Sequence, residues 1–327
     1  MRPFKFTSAA DAGTATRAVS ANGDAKFLAG GTSLIDLMRE GVEGPSEVVD
    51  ISRLKYTEIR ATATGISIGA LAKNAETANH TLVRQGFPML SQAILAGASA
   101  QIRNMATNGG NLMQRTRCPY FYEVSMNCNK REPGSGCSAL QGINRVHAIL
   151  GYSEKCVAVN PSDMCVALAA LDATVNVEGP GGKTRVIPIA DFHRLPGDTP
   201  ERDNNLEHGE LITSIDIPKN NFAATSYYLK VGDRASYSFA LVSVAAAVEM
   251  GGGKVKQARL ALGGVAPKPW RAKYAEEFLA GKAATEDNFR TAADVELKFA
   301  KPLEHNGFKV ELAKRAMVLA LKRATAS

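Results

Sequence analysis

Lys26-Phe-Leu-Ala-Gly-Gly-Thr-Ser-Leu-Ile-Asp-Leu-Met38 reads as a strand, a tight turn and a helix in direct succession. Lys26, Phe27, Leu28 and Ala29 carry the strand. Gly30, Gly31, Thr32 and Ser33 turn the chain, and Leu34 to Met38 make the helix. Glycines lack Cβ, so backbone N–H groups in such a turn can approach a diphosphate closely. The segment is neither the dinucleotide-binding G-x-G-x-x-G nor a P-loop. By itself it suits an ordinary strand–helix connection as well as a phosphate cradle. Working outward, residues 3–6 read as a strand, and Ser8 as the cap of a helix ended by Gly23. Residues 47–51 form a third strand, giving a compact β-α-β unit of about 50 residues.

Ile66–Ala70 reads as a further strand. Helical segments follow to about residue 103, with Leu82, Val83, Leu90, Ile94 and Leu95 as their apolar face. Asn104–Asn111 is expected to be a loop. Ala169–Val177, Lys183–Ile187 and Leu211–Ile217 read as strands. A third unit opens near residue 222. In it Ser226–Lys230, Ala240–Met250 and Val255–Leu262 are expected to be antiparallel, the last two joined by Gly251-Gly-Gly253. Helices close the chain at Arg271–Leu279 and Glu311–Arg323. Leu312, Ala316, Val318 and Leu319 are the expected buried stripe of the latter. The pattern gives an α+β fold in three parts: 1–55, 56–221 and 222–327.

All five cysteines fall between Cys118 and Cys165. Cys118, Cys128 and Cys137 lie in RCPYFYEVSMNCNKREPGSGC, which has neither helical nor strand period; Cys156 and Cys165 follow. Thiolates on an irregular loop can be aimed at one point, and soft sulfur ligands suit iron–sulfur clusters, zinc or copper. Zinc sites usually show a tighter C-x2-4-C pair. Disulfides suit small secreted domains. Cys165, in the run MCVALAALDA, suits an inert buried thiol. An iron–sulfur cluster leads these alternatives, which all stay open on spacing alone.

A net charge of +7 is dispersed among acids, so the composition argues against a nucleic-acid partner. No apolar run is long enough to span a bilayer, and MRPFKFTSAADAG lacks the apolar core of a secretory signal. A second glycine turn, Thr107-Asn108-Gly109-Gly110-Asn111, is again flanked by polar residues and free of acids. Two such turns favour a ligand with two phosphates, such as FAD, over a purely structural role.

Several ordered segments carry a wider likeness: KFLAGGTSLIDLM (26–38), QIRNMATNGGNL (101–112), NPSDM (160–164), GELITSIDIP (209–218), YLKVGDRASYSFALVSVAAA (228–247) and LALGGVAPKPWRA (260–272). Together they resemble the FAD-binding subunit of the molybdenum hydroxylases, the xanthine dehydrogenase family. The cysteine loop looks like that of the branch with an extra [4Fe-4S] cluster, seen in aromatic aldehyde oxidoreductases and hydroxybenzoyl-CoA reductases. The resemblance implies a two-part FAD-binding domain of the vanillyl-alcohol-oxidase type and a C-terminal domain with an antiparallel sheet. It implies that residues Lys26–Leu34 and Thr107–Asn111 hold the FAD diphosphate, and that Asp163 fixes a polar part of the cofactor. Asp163 equally suits an N-cap. Leu211 or Ile212 would pack on a ring, or serve as strand core, and Lys230 would lie near the flavin. The cluster ligands implied are Cys118, Cys128, Cys137 and Cys156, with Cys165 spare. His147 would orient a ligand or be structural. Asn160 stands where relatives usually carry His, which puts that histidine's role in doubt here.

The function implied is electron transfer. A partner with molybdopterin would oxidise an aldehyde to an acid, and a second with [2Fe-2S] clusters would pass electrons to FAD here, for delivery to an external acceptor. Xanthine dehydrogenase-like and hydroxybenzoyl-CoA reductase-like enzymes are the alternatives within the family. A stand-alone flavin reductase and a non-redox scaffold are those outside it. No side chain of this chain is expected to act as acid or base on the organic substrate. The compartment expected is the periplasm, by carriage with a signal-bearing partner, or else the cytoplasm.

Overall fold

A computed structural model describes residues 1–326. The first unit is built from β1 (Lys5–Ser8), α1 (Ala12–Ser20), β2 (Ala25–Leu28), α2 (Leu34–Arg39) and β3 (Glu47–Asp50). Its three strands are parallel in the order β1-β3-β2. Asp11, not Ser8, caps α1, its carboxylate accepting from the Thr14 amide at 2.6 Å.

The second unit has five antiparallel strands in the order β4-β5-β8-β6-β7: β4 (Ile59–Thr62), β5 (Gly65–Gly69), β6 (Thr174–Glu178), β7 (Thr184–Pro188) and β8 (Leu211–Pro218). Between β5 and β6 run seven helices: α3 (Asn74–Asn79), α4 (Thr81–Gly86), α5 (Pro88–Ala96), α6 (Ala100–Met105), α7 (Asn108–Leu112), α8 (Pro119–Tyr122) and α9 (Asp163–Ala170). A short α10 (Ile189–Phe192) follows β7. The expected strand from Ala169 is wrong at its start. Ala169 and Ala170 end α9, whose residues are all buried. A helix buried all round has no amphipathic period, so its apolar run reads like a strand. Residues 108–111, expected to be loop, form a helical turn capped by Thr107, whose hydroxyl accepts from the Gly110 amide. Leu95 is exposed, whereas Val83, Leu90 and Ile94 are core.

The third unit is a four-stranded antiparallel sheet, β12-β11-β10-β9: β9 (Ser226–Val231), β10 (Val242–Gly251), β11 (Lys254–Gly263) and β12 (Trp270–Arg271). Strand alternation assigns its two faces. Val242, Val244, Ala246 and Val248 join the core under α11 (Lys273–Leu279), α12 (Glu286–Leu297) and α13 (Phe308–Thr325), while Ala245 and Ala247 join the core of the second unit. The sheet is thus buried on both sides and locked to α5 and α9. The buried stripe of α13 is Lys309, Ala313, Ala316, Met317, Ala320, Leu321 and Ala324. The expected stripe therefore needs correction: Ala316 is in place, Leu312 and Val318 are only partly buried, and Leu319 is exposed. Alanines carry the contact because the helix lies close to β10, and a reading by large apolar residues alone misses it.

Candidate functional site

Loops from all three units meet in a cleft of about 620 Å³. The first unit gives Thr32, Ser33 and Asp36, and the second gives Arg103, Gly110, Asn111 and the start of α9. The third gives Lys230 and residues 233–234 and 237–241. The two glycine turns are pressed together. A Cβ on Gly30 would lie 2.0 Å from the Met105 carbonyl oxygen, so only glycine fits there. Gly31 has φ +73, a left-handed conformation that glycine adopts without strain. On the second turn Asn108 is buried, accepting from the Asn74 amide at 2.9 Å and donating to Thr77 at 2.7 Å. Asn111 faces the cleft with its oxygen engaged by Ser162 at 2.6 Å.

The expected residues divide by position. Thr32, Ser33, Gly110, Asn111, Asp163 and Lys230 line the cleft. Gly30, Gly31, Thr107, Asn108 and Gly109 shape the turns behind it. Lys26 is half exposed beside Glu43, at 3.9 Å, and Phe27, Leu28 and Ala29 belong to the strand and its end. Leu34 begins α2. Leu211 and Ile212 are core residues of β8, Ile212 packing beneath Gly109. Asp163 is the first residue of α9 and not its cap; Ser162 caps the helix by accepting from the Cys165 amide at 3.0 Å. Asp163 instead accepts from Lys230 at 2.7 Å and from the Tyr228 hydroxyl at 2.6 Å. Burial pushes the Asp163 carboxyl above its ordinary range against the pull of Lys230, and pushes Tyr228 well above 10. Lys230 also donates to the Ala96 carbonyl at 2.9 Å, tying the third unit to α5.

Arg103, Arg117 and Arg234 also line the cleft. Arg117 is paired with Asp36 at 2.8 Å. Arg103 and Arg234 bond only backbone carbonyls among the described residues, so their charge is not neutralised by a carboxylate. Sequence reasoning passed over them, although Arg103 lies one turn before the second glycine motif.

Cys118, Cys128, Cys137 and Cys156 all border one small void beside the cleft, with Lys130 and Lys155 and no carboxylate in its wall. Residues 128 and 137 face each other in an antiparallel bridge, as do 153 and 156. None of the five cysteines is disulfide-bonded. Among the described residues, no group of three or more His, Cys, Asp or Glu side chains is arranged to hold a metal ion. Burial pushes the Cys118 thiol up to about 12 and Cys156 to about 11. Cys165 lies in the core of the second unit, fully buried. His147, lowered to about 4 by burial and by Lys309, has Nε2 3.1 Å from Cys118 Sγ. The loop is pinned by Lys130 and Arg115, which converge on Asp203 at 2.5 and 2.7 Å.

Residues 2–220 match the FAD-binding domain of molybdopterin dehydrogenases, and 227–324 the C-terminal domain of the carbon monoxide dehydrogenase flavoprotein. The chain is 48% identical to the aldehyde oxidoreductase FAD-binding subunit of Escherichia coli, across 92% of each. This chain is an FAD-binding subunit of the molybdenum hydroxylase family. It is 28% identical to the glyceraldehyde dehydrogenase medium chain of Sulfolobus acidocaldarius, over 93% of this chain and 91% of that one. The flavin-subunit fold is shared with the carbon monoxide dehydrogenase of Hydrogenophaga pseudoflava, with a TM-score of 0.78, 26% identity and coverage of 100% of this chain and 99% of that one.

The cleft of this flavin subunit fits FAD chemically. The Gly30–Met105 contact fixes two polar turns at one end, where Cβ atoms would block close approach of phosphate. The carboxylates Asp36, Asp163 and Asp233 are each neutralised, the last by Arg145 at 2.8 Å, leaving Arg103 and Arg234 for an anion.

Proposed function

We propose that this chain is the electron-transferring flavin subunit of a molybdenum-dependent aldehyde oxidoreductase, converting an aldehyde to a carboxylic acid. The 48% identity to an aldehyde oxidoreductase FAD-binding subunit, across nearly the whole chain, carries this reading. The catalytic molybdopterin site and the [2Fe-2S] clusters would sit on two partner subunits. Bound FAD supplies the redox chemistry of this chain, accepting electrons from the partner and releasing them to an external acceptor. Thr32, Ser33 and the Thr107–Asn111 turn would hold the diphosphate, with Arg103 as counter-charge. Asp163, fixed by Lys230 and Tyr228, would take a hydroxyl of the cofactor. Lys230 would lie near the flavin, its charge already paired with Asp163.

A [4Fe-4S] cluster on Cys118, Cys128, Cys137 and Cys156 belongs to the same proposal. Its support is that these four thiols border one small void lined by two lysines and no acid, although as they stand no three of them are arranged around a metal. Lys130 offsets part of the burial that opposes ionisation of Cys156. Metal binding would deprotonate the thiols and close the loop.

The test is a visible spectrum of the anaerobically purified complex, with flavin, iron and sulfide measured per chain. One FAD with about four irons and four sulfides in this subunit is the expected result. Flavin without iron would retain the flavoprotein reading and remove the cluster. Zinc without flavin would overturn both.

A further inference from the structure

Cys128 and Cys137 face each other across the base of the turn 129–136, in an isolated antiparallel bridge. Two backbone bonds fix the register. The Asn129 amide donates to the Gly136 carbonyl at 2.7 Å, and the Ser138 amide to the Asn127 carbonyl at 3.0 Å. Both bonds flank the pair, so 128 and 137 hold the non-hydrogen-bonded position. There Cα atoms lie about 4.5 Å apart, with the side chains closer than at a hydrogen-bonded position. A disulfide needs Cα atoms about 4.4–6.8 Å apart. We propose that this pair is a redox-modification site: in the iron-free chain Cys128 and Cys137 close to a disulfide on exposure to a small-molecule disulfide such as oxidised glutathione.

The inference rests on the backbone of this loop and not on the cluster, which would compete for the same two thiols. Among the described residues, no three metal-binding side chains are arranged around an ion, and the void beside the thiols is about 10 Å³. A sulfur–sulfur bond needs neither a third ligand nor space for an ion.

The turn is already ordered for closure. The Cys128 carbonyl accepts from the Arg131 and Glu132 amides at 3.0 and 2.8 Å, and the Cys128 amide donates to the Ser135 hydroxyl at 3.1 Å. Asn129 Oδ1 accepts from the Gly134 and Gly136 amides at 3.0 and 2.9 Å. Those two residues have φ +89 and +104, which glycine adopts without strain. The other cysteines are placed elsewhere. Cys118 Sγ lies 3.1 Å from His147 Nε2, Cys156 is bridged to Ser153, and Cys165 is in the core of the second unit. Cys137 is the one cysteine that is not fully buried, so a reagent enters there.

In the first step the Cys137 thiolate attacks one sulfur of oxidised glutathione. A mixed disulfide forms and one glutathione thiolate leaves. The Cys128 thiolate then attacks the Cys137 sulfur, the mixed disulfide breaks and the second glutathione leaves. Two protein thiols are oxidised, one glutathione disulfide is reduced, and the two protons pass to the released glutathiones. Closure takes up two of the four thiols at the void, so the disulfide and a metal there exclude each other.

The experiment uses the full chain freed of iron by a chelator, its fold checked by circular dichroism, in mixtures of reduced and oxidised glutathione. Free thiols are counted by alkylation, and cross-links are located by peptide mass spectrometry. Cleavage after Glu123, Lys130 and Arg131 puts Cys118, Cys128 and Cys137 on separate peptides. The expected result is a fall from five free thiols to three, with Cys128 joined to Cys137 alone. Cys137→Ser should keep its remaining thiols free, while Cys156→Ser should still lose a pair. The urea-unfolded chain supplies the comparison. Cys118 and Cys128 are separated by nine residues there, and Cys128–Cys137 and Cys156–Cys165 by eight, so cross-links should spread over all three pairs. Five thiols retained in oxidised glutathione overturn the proposal, as does a cross-link pattern in the folded chain no more selective than in urea. Iron uptake is measured on the same preparation. A chain that takes up iron but forms no cross-link keeps the cluster and removes this inference. A chain that cross-links but takes up no iron keeps this inference and removes the cluster.

Discussion

Replacing Gly30 by Ala tests whether the two glycine turns form one cradle. The new Cβ would lie 2.0 Å from the Met105 oxygen and 2.8 Å from its carbonyl carbon. Contacts of real Cβ atoms stay above 3.0 Å, so the two backbones must part by about 1 Å. Neither is a flexible side-chain tip. Met105 ends α6, its carbonyl accepts from Lys73 at 3.1 Å, and Ala106 follows at once at the cleft wall. Forced overpacking of this sort costs about 1–3 kcal/mol. The displacement also separates Thr32–Ser33 from Gly110–Asn111. Loss of one hydrogen bond to a charged phosphate is worth about 1.5–3 kcal/mol, so FAD affinity should fall roughly tenfold or more. The assay is fluorescence titration of FAD onto flavin-stripped protein, beside urea unfolding. Gly23→Ala is the control, since nothing lies within 4 Å of its added Cβ. Wild-type FAD affinity and an unchanged urea midpoint in Gly30→Ala would refute the cradle.

Further outcomes follow from the same geometry. Lys230→Met strands the buried Asp163 charge and should cost about 3–5 kcal/mol in urea unfolding, most of it recovered in the double variant with Asp163→Asn. Cys128→Ser should lower iron per chain sharply, while Cys165→Ala, in the core away from the void, should leave iron unchanged. Burial pushes Asp203 up, but Lys130 and Arg115 more than offset it and hold the carboxyl below its ordinary 3.8. Its folded value being depressed, the stability it contributes is complete above the unfolded value and is lost as pH falls through the folded one. Asp203→Asn should therefore flatten the acid limb of a urea-midpoint profile taken from about pH 5 downward.

Local pattern made some of this legible. The turns at Gly30–Gly31 and Gly109–Gly110, the alternation along β10 and β11, and the crowding of cysteines into one loop are written in neighbouring residues. Arg103 and Arg234 were not legible as site residues, because an arginine's role depends on whether a carboxylate meets it in space. The C-terminal stripe was misplaced because alanine contact reflects how close two elements lie, which periodicity does not report.

The sequence by itself determined the family, and it marked the two glycine turns and the cysteine-rich loop as the places to look for a site. Those properties reside in local spacing and side-chain type. Only the tertiary structure decided that Asp163 answers to Lys230 and Tyr228 rather than to a helix amide. It alone also decided that one cysteine, Cys118, borders both the thiol void and the cleft, beside His147. These pairings join residues far apart in the chain, and burial and packing of whole sheets, which no local window contains, set their distances.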